Sequence, residues 1–245
     1  MTARRSLVAG FIVLLATAIA GSAERAEQSA APIGLKGEAA FLGRQDCVAD
    51  DALRLCQPKH GFWVDLGAGK AEVALALIEK GKNAVLAIDP KAEALSKGLE
   101  TAREKGFADR LFAITGRAEQ LPLLDNTVDF LVSRGSIFFW VDAVKGLKDV
   151  NRVLRPGGKA YIGGGAGRDY PKDLVERLIR DRKERMQGEE AEKWKRFVEL
   201  RRPEQMRKWA EAAGLRDFQV LGQGAISADD AQVGQGVWLL FEKKQ

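Results

Sequence analysis

The chain has 245 residues, 46% hydrophobic and 30% charged, with a formal net charge of +5. That balance is the one of an ordinary globular protein and excludes a disordered or fibrous chain, while two cysteines without a CxxC and a single histidine leave no Cys/His zinc pattern. No internal repeat or long low-complexity tract is present, and beyond the first thirty residues the length suits one α/β domain with a sizeable core.

The N-terminus has the three parts of a secretory signal peptide: Arg4-Arg5, an apolar core from Ser6 to Ala20, and small residues at Gly21-Ser22-Ala23. The apolar core is shorter than the ~20 residues of a comfortable membrane span, so residues 1–23 are expected to be a signal peptide, with an uncleaved anchor as the alternative. Residues 24–37 read as a polar, Ala-rich linker. Export or anchoring is thus expected, with a cytoplasmic location if the start is mis-assigned. The following segment, Asp46 to Cys56, has helical character, and nine residues along a helix separate Cys47 from Cys56 by about 13 Å on opposite faces. Both are expected to remain thiols.

Phe62 to Leu66 is an apolar run of the kind a strand covered on both faces shows. Gly67 and Gly69 follow, letting the chain turn sharply and come close to a ligand, and Glu72 to Lys80 continues as an amphipathic helix. Three nucleotide-binding turns share this outline, and spacing separates them. A dinucleotide turn needs a third glycine where Glu72 stands, and a phosphate-binding loop needs Gly at Val64 and Ser or Thr at Ala71. What remains is D-x-G-x-G, with Asp65 at the strand end.

That motif resembles the first motif of the class I S-adenosylmethionine-dependent methyltransferases, a family that often has a third glycine where this chain has Ala71. Later segments extend the resemblance in order. Asn83 to Asp89-Pro90 is a second apolar run ending in an acid, and a carboxylate there can accept both hydroxyls of a ribose or cap the helix starting near Lys91. Leu111 to Pro122 looks like the family's third motif, a strand followed by Gly116-Arg117-Ala118-Glu119. Asn126 to Ser136 resembles the fourth strand, and Leu147 to Val153 an amphipathic helix. The tight turn Leu154 to Gly158 then leads into a strand from Lys159 to Gly163. Pro203 to Leu215 reads as a helix with a glycine C-cap, followed by strands near Phe218–Leu221 and Val237–Glu242.

The resemblance covers about residues 60–243. It implies a seven-stranded, mostly parallel sheet flanked by helices, with an antiparallel last strand, over a domain of residues 38–245. It also implies S-adenosyl-L-methionine as cofactor and a small molecule as methyl acceptor. Asp65, Gly67, Ala68 and Gly69 would hold the methionine end, Asp89 and Pro90 the ribose, and Arg117, Ala118 and Glu119 the adenine. Ser133, at the end of the fourth strand, would also contact the cofactor. The N-P-P-[YF] sequence of amino-methylating enzymes is absent after that strand. Ser133, Arg134, Ser136, Phe138, Phe139 and Trp140 stand there instead, as pocket lining or as packing. His60, the one histidine, precedes the first strand, on the edge opposite the cofactor.

Residues 168–208 hold 14 Lys/Arg against 10 Asp/Glu. The mixed signs at helical spacing predict a solvated helical insertion at about 168–200, able to close over the acceptor, in preference to a nucleic-acid surface. Two other functions stay open on the sequence: an exported or anchored protein that kept this fold without turnover, and an RNA methyltransferase.

Overall fold

The computed structural model describes residues 43–185, 188–222 and 236–244; the expected signal peptide or anchor and the linker lie outside the described residues. The order of elements is α1 (Arg44–Cys56), β1 (Trp63–Leu66), α2 (Glu72–Gly81), β2 (Val85–Asp89), α3 (Ala92–Glu104), β3 (Leu111–Thr115), β4 (Val128–Arg134), a 3-10 turn (Ile137–Phe139), α4 (Ala143–Val153), β5 (Leu154–Gly165), α5 (Lys172–Arg185), α6 (Glu189–Leu200), α7 (Pro203–Ala212), β6 (Gln219–Leu221) and β7 (Gly236–Glu242).

The strands form one sheet in the order β3-β2-β1-β4-β5-β7-β6. β1 pairs in parallel with both β2 and β4, and β7 is antiparallel to both β5 and β6. This is the expected seven-stranded, mostly parallel sheet with an antiparallel last strand. Its inner strands are buried on both faces, while the edge strands β3 and β6 are only partly covered, and the period-2 alternation of side chains assigns the inner residues to two cores. Val64, Leu66, Ile88, Leu131 and Ile162 pack with α4 and α7. Trp63, Val85, Phe130, Tyr161 and Trp238 pack with α1 and α2, where Trp63 meets Phe130 edge to face at 5.5 Å between ring centres and Tyr161 stacks on Trp238 at 4.4 Å.

The helix ends follow local rules. Asp142 caps α4 by accepting the N–H of Lys145, and Gly214 ends α7 with φ +76°, with N–H bonds from Gly214 to Glu211 and from Leu215 to Ala210 closing a Schellman motif. One expected boundary moves. Leu154–Gly158 is not a turn ahead of the strand: Leu154 already pairs with Val128, and pairing resumes between Phe130 and Lys159. Residues 155–158 form a bulge opposite Asp129, whose carboxylate takes the Arg155 guanidinium at 2.6 Å and the Phe62 N–H at 2.6 Å.

Cys47 and Cys56 both lie in α1 as free thiols, and burial pushes the Cys56 thiol up to about 12. The charged segment forms α5 and α6, and no residue of α6 is buried. Among the described residues no helix is long and apolar enough to cross a membrane.

Candidate functional site

β1 and β4 are neighbours at the point where the strand order reverses, and the loops at their C-terminal ends flank the crevice in which open α/β sheets bind ligands. The glycine turn occupies one side of it. Its backbone is bolted to the end of β2: Gly67 and Ala68 donate to the Ile88 carbonyl (2.7 and 3.1 Å), and Gly69 donates to Oδ2 of Asp89 (2.9 Å). The other Asp89 oxygen accepts the N–H of Lys91 at 2.9 Å, so one carboxylate fixes both the turn and the start of α3.

Gly67 (φ +69°) and Gly69 (φ +56°) need glycine for different reasons. A Cβ on Gly67 would overlap the Ser136 side chain, whereas a Cβ on Gly69 would meet no atom within 4 Å. The face over Gly69 is open. Ala71 is also left-handed (φ +58°), which explains why glycine is common there in the family. Its methyl is accommodated by Gly98 of α3, where a Cβ would stand 2.7 Å from the Lys70 carbonyl and 2.9 Å from the Ala71 Cβ.

Asp65 is 2% exposed, and its Oδ2 accepts the N–H of Ala74 in the first turn of α2 at 3.0 Å. Burial pushes its carboxyl up to about 7; the Ala74 bond and Arg134 oppose the rise, while Asp89 and Glu72 add to it. Its second oxygen has no hydrogen bond among the described residues. Pro90 is exposed at the head of α3.

The β3 loop borders the crevice beyond β2. Ala118 is buried against Trp140 and Gly146, and its N–H donates no hydrogen bond among the described residues. Arg117 is exposed and lies 3.9 Å from Glu119. The Glu119 carboxylate is committed to the protein: Oε1 accepts the N–H of Val141 at 2.7 Å and of Asp142 at 3.3 Å, tying this loop to the start of α4. An open cleft of about 420 Å³ runs between Arg117, Glu119, Gln120, Val141, Asp142 and Lys145.

The β4 side differs from expectation. Ser133 is fully buried, and its hydroxyl lies 2.6 Å from that of Ser136. Ser136 Oγ is also 3.2 Å from the Leu66 carbonyl and accepts the Trp140 indole N–H at 3.0 Å. One hydroxyl has one hydrogen to donate and two lone pairs. Donation to Leu66 with acceptance from Ser133 and Trp140 uses all three, so these hydroxyls lock the β4 loop to β1. The buried Ser133 hydroxyl, expected to face the cofactor, is engaged by Ser136 in this structure. His60 is exposed beside Asn83, ahead of β1 and away from the crevice. The sequence reading missed Arg44 and Arg201, which the fold brings towards Arg134; their only sequence signal was positive charge.

Residues 64–162 match the family model described as "Methyltransferase domain". The 2-methyl-6-phytyl-1,4-hydroquinone methyltransferase of Arabidopsis thaliana is 30% identical over 175 residues, which cover 70% of this chain and 45% of the plant protein. An uncharacterised methyltransferase of Mycobacterium tuberculosis is 38% identical over 96 residues, covering 39% of this chain and 36% of the relative. The chain thus spans less than half the length of these curated relatives. A crystal structure described as an S-adenosyl-L-methionine-dependent methyltransferase from Methanococcus maripaludis superposes with a TM-score of 0.71 at 22% identity, covering 90% of this chain and 98% of that one. Phosphoethanolamine N-methyltransferase 2 of Haemonchus contortus, solved with S-adenosyl-L-methionine, gives 0.55 at 17% identity, with coverage of 81% and 52%. Residues 64–162 thus match a methyltransferase-domain family, and the chain carries the class I methyltransferase fold.

Proposed function

We propose that the protein is an S-adenosylmethionine-dependent methyltransferase acting on a small-molecule acceptor. The observation that carries this reading is the glycine turn, held by Asp89 in a shape that leaves open space over Gly69. The surrounding groups fit the cofactor's three parts. Asp65, with one oxygen not hydrogen-bonded among the described residues, suits the ammonium of the methionine end. Asp89 has about four lone-pair sites, of which the backbone uses two, leaving two for the ribose hydroxyls. The unclaimed Ala118 N–H suits an adenine ring nitrogen, with Arg117 at the rim.

When bound, the cofactor supplies a methyl group already activated on a sulfonium sulfur. The chain's own contribution is then to hold that group and the acceptor close and aligned, which accounts for a large share of the acceleration in such displacements. The Ser133 and Ser136 hydroxyls are engaged with each other, Leu66 and Trp140, and serve to frame the site, in keeping with catalysis by positioning. A small-molecule acceptor accords with the plant relative, whose name specifies a hydroquinone.

Calorimetric titration of the full chain with S-adenosylhomocysteine tests the reading. Saturable one-to-one binding is expected, weakened at least tenfold in Asp89→Ala. Absence of binding to the wild type would overturn it.

A further inference from the structure

The ends of β4 and β5 carry positive charge that none of the cofactor contacts proposed above uses. Arg134 closes β4 and donates Nε–H to the Gly165 carbonyl at 3.2 Å. Arg201, 6% exposed just after α6, donates Nη2–H to the Gly164 carbonyl at 2.9 Å. Two guanidinium groups therefore sit on consecutive carbonyls of β5. Arg44, the first residue of α1, adds a third cation. Burial first, then Arg44 and Arg201, hold the Arg134 guanidinium down at about 9; Glu72 and Asp65 oppose this with smaller effects. Asp65 is a weak counter-charge, since its own carboxyl is pushed up to about 7.

Arg134 has no ion-pair partner among the described residues, and the Gly165 bond is its only hydrogen bond there. Both of its Nη groups are unclaimed while it stays half-buried, with an edge open to solvent. A desolvated guanidinium beside like charges is costly unless an anion joins it, and its planar fork matches carboxylate and phosphate oxygens. Next to it stands an aromatic wall. Arg201 lies over the rings of Phe138 (5.0 Å) and Phe197 (5.1 Å), which meet edge to face at 5.7 Å. Gly164 leaves room for this arrangement, since a Cβ would stand 2.9 Å from the Phe138 ring and 3.1 Å from Arg201.

We propose that Arg134, flanked by Arg44 and Arg201, binds the carboxylate or phosphate of an anionic acceptor whose apolar body lies against Phe138 and Phe197. This rests on the methyltransferase reading above and names its substrate class. Placement favours the acceptor over the cofactor's own carboxylate. Asp65 and Asp89 lie at the C-terminal ends of β1 and β2, with Gly69 in the turn after β1, whereas Arg134 and Arg201 lean onto β5, on the other side of β4 from β1.

The test uses the full chain saturated with S-adenosylhomocysteine and titrated with benzoate, phenyl phosphate and the neutral benzamide. At least one anion is expected to bind ten- to a hundredfold more tightly than benzamide, which is roughly the worth of a charged hydrogen bond. Arg134→Gln should abolish that preference, Arg134→Lys should retain part of it, and both should bind S-adenosylhomocysteine as the wild type does. Anions binding no better than benzamide to the wild type would overturn the proposal without recourse to any variant. So would an anion preference that survives in Arg134→Gln. If Arg134→Gln weakens S-adenosylhomocysteine but not methylthioadenosine, which lacks the carboxylate, the cluster serves the cofactor and the acceptor assignment is wrong. Failure of the wild type to bind S-adenosylhomocysteine is a separate result, and sinks the parent reading instead.

Discussion

Asp89→Ala isolates the bond that shapes the glycine turn before any ligand arrives. The substitution removes two acceptors, one for the Gly69 N–H and one for the Lys91 N–H, each at 2.9 Å. A hydrogen bond to a charged group contributes about 1.5–3 kcal/mol, and the low end applies here because water can reach part of the site. Two such bonds give about 3 kcal/mol. Relief of the repulsion between Asp89 and Asp65 offsets a fraction of that. For a domain near 200 residues, 1 kcal/mol corresponds to roughly 2–4 °C, so the melting temperature without cofactor should fall by about 6–12 °C. Asp89→Asn keeps one acceptor oxygen but turns an amide N–H₂ towards one of the two donors, and should lie in between. Thermal unfolding followed by circular dichroism measures both. A melting temperature for Asp89→Ala within ~2 °C of wild type would refute the view that this carboxylate holds the turn.

Three further outcomes follow from the same geometry. Gly69→Ala should cost only about 1–2 kcal/mol of stability, the strain of a left-handed alanine, yet lose most affinity for S-adenosylhomocysteine because its Cβ enters the open face; unchanged affinity would remove the cofactor from that face. Gly98→Ala should destabilise the protein although alanine is favoured by about 1 kcal/mol within a helix, because the Cβ meets the Lys70 carbonyl at 2.7 Å; a raised melting temperature would contradict that contact. Asp65 sets two opposite pH trends. Its folded-state pKa of about 7 lies above the ordinary ~3.9, so the folded state binds the extra proton. Its contribution to stability is full below pH ~4 and is lost as pH rises through 7. Affinity for S-adenosylhomocysteine needs the carboxylate, and should fall up to tenfold per pH unit below 7. In Asp65→Asn both slopes should flatten, as chemical denaturation and calorimetry across pH 5–8 would show.

Much of the fold was legible because parallel strands must be buried on both faces and therefore appear as continuous apolar runs, here Phe62–Leu66, Asn83–Asp89 and Val128–Ser133. The turn was legible because glycine at 67 and 69 marks positive φ, and the acids because they end strands. The missed features are those that depend on three-dimensional neighbours. Whether the Ser133 hydroxyl faces a ligand or Ser136 is decided by Leu66 and Trp140, remote in sequence. Residues 155–158 look like a turn because their Pro-Gly-Gly composition is the same in a bulge. The arginine cluster draws on α1, β4 and the end of α6, and no local pattern links them. Gly98 appears only as a helix defect until the left-handed Ala71 is seen beneath it.

The two halves of the crevice are built on different physical terms, and this bears on how binding is ordered. The cofactor side carries little unbalanced charge without ligand: Asp89 holds Gly69 and Lys91, Glu119 holds Val141 and Asp142, and Asp65 can sit neutral by taking a proton near pH 7. The β5 side differs, since Arg134 is half-buried among like charges with no ion-pair partner among the described residues. A bound cofactor's ammonium offsets the negative charge of an ionised Asp65, so that pair changes the field at Arg134 little, and the cofactor's own carboxylate is expected on the β1 side of the crevice, away from the β5 carbonyls that hold Arg134. An anionic acceptor gives Arg134 the partner it lacks. Coupling between the two sites should therefore be weak in the ammonium-to-Asp65 direction and should pass mainly through the acceptor's own charge. Benzoate affinity measured with and without S-adenosylhomocysteine should differ by no more than a few-fold, and a difference of a hundredfold would mean that the cofactor itself completes the anion site.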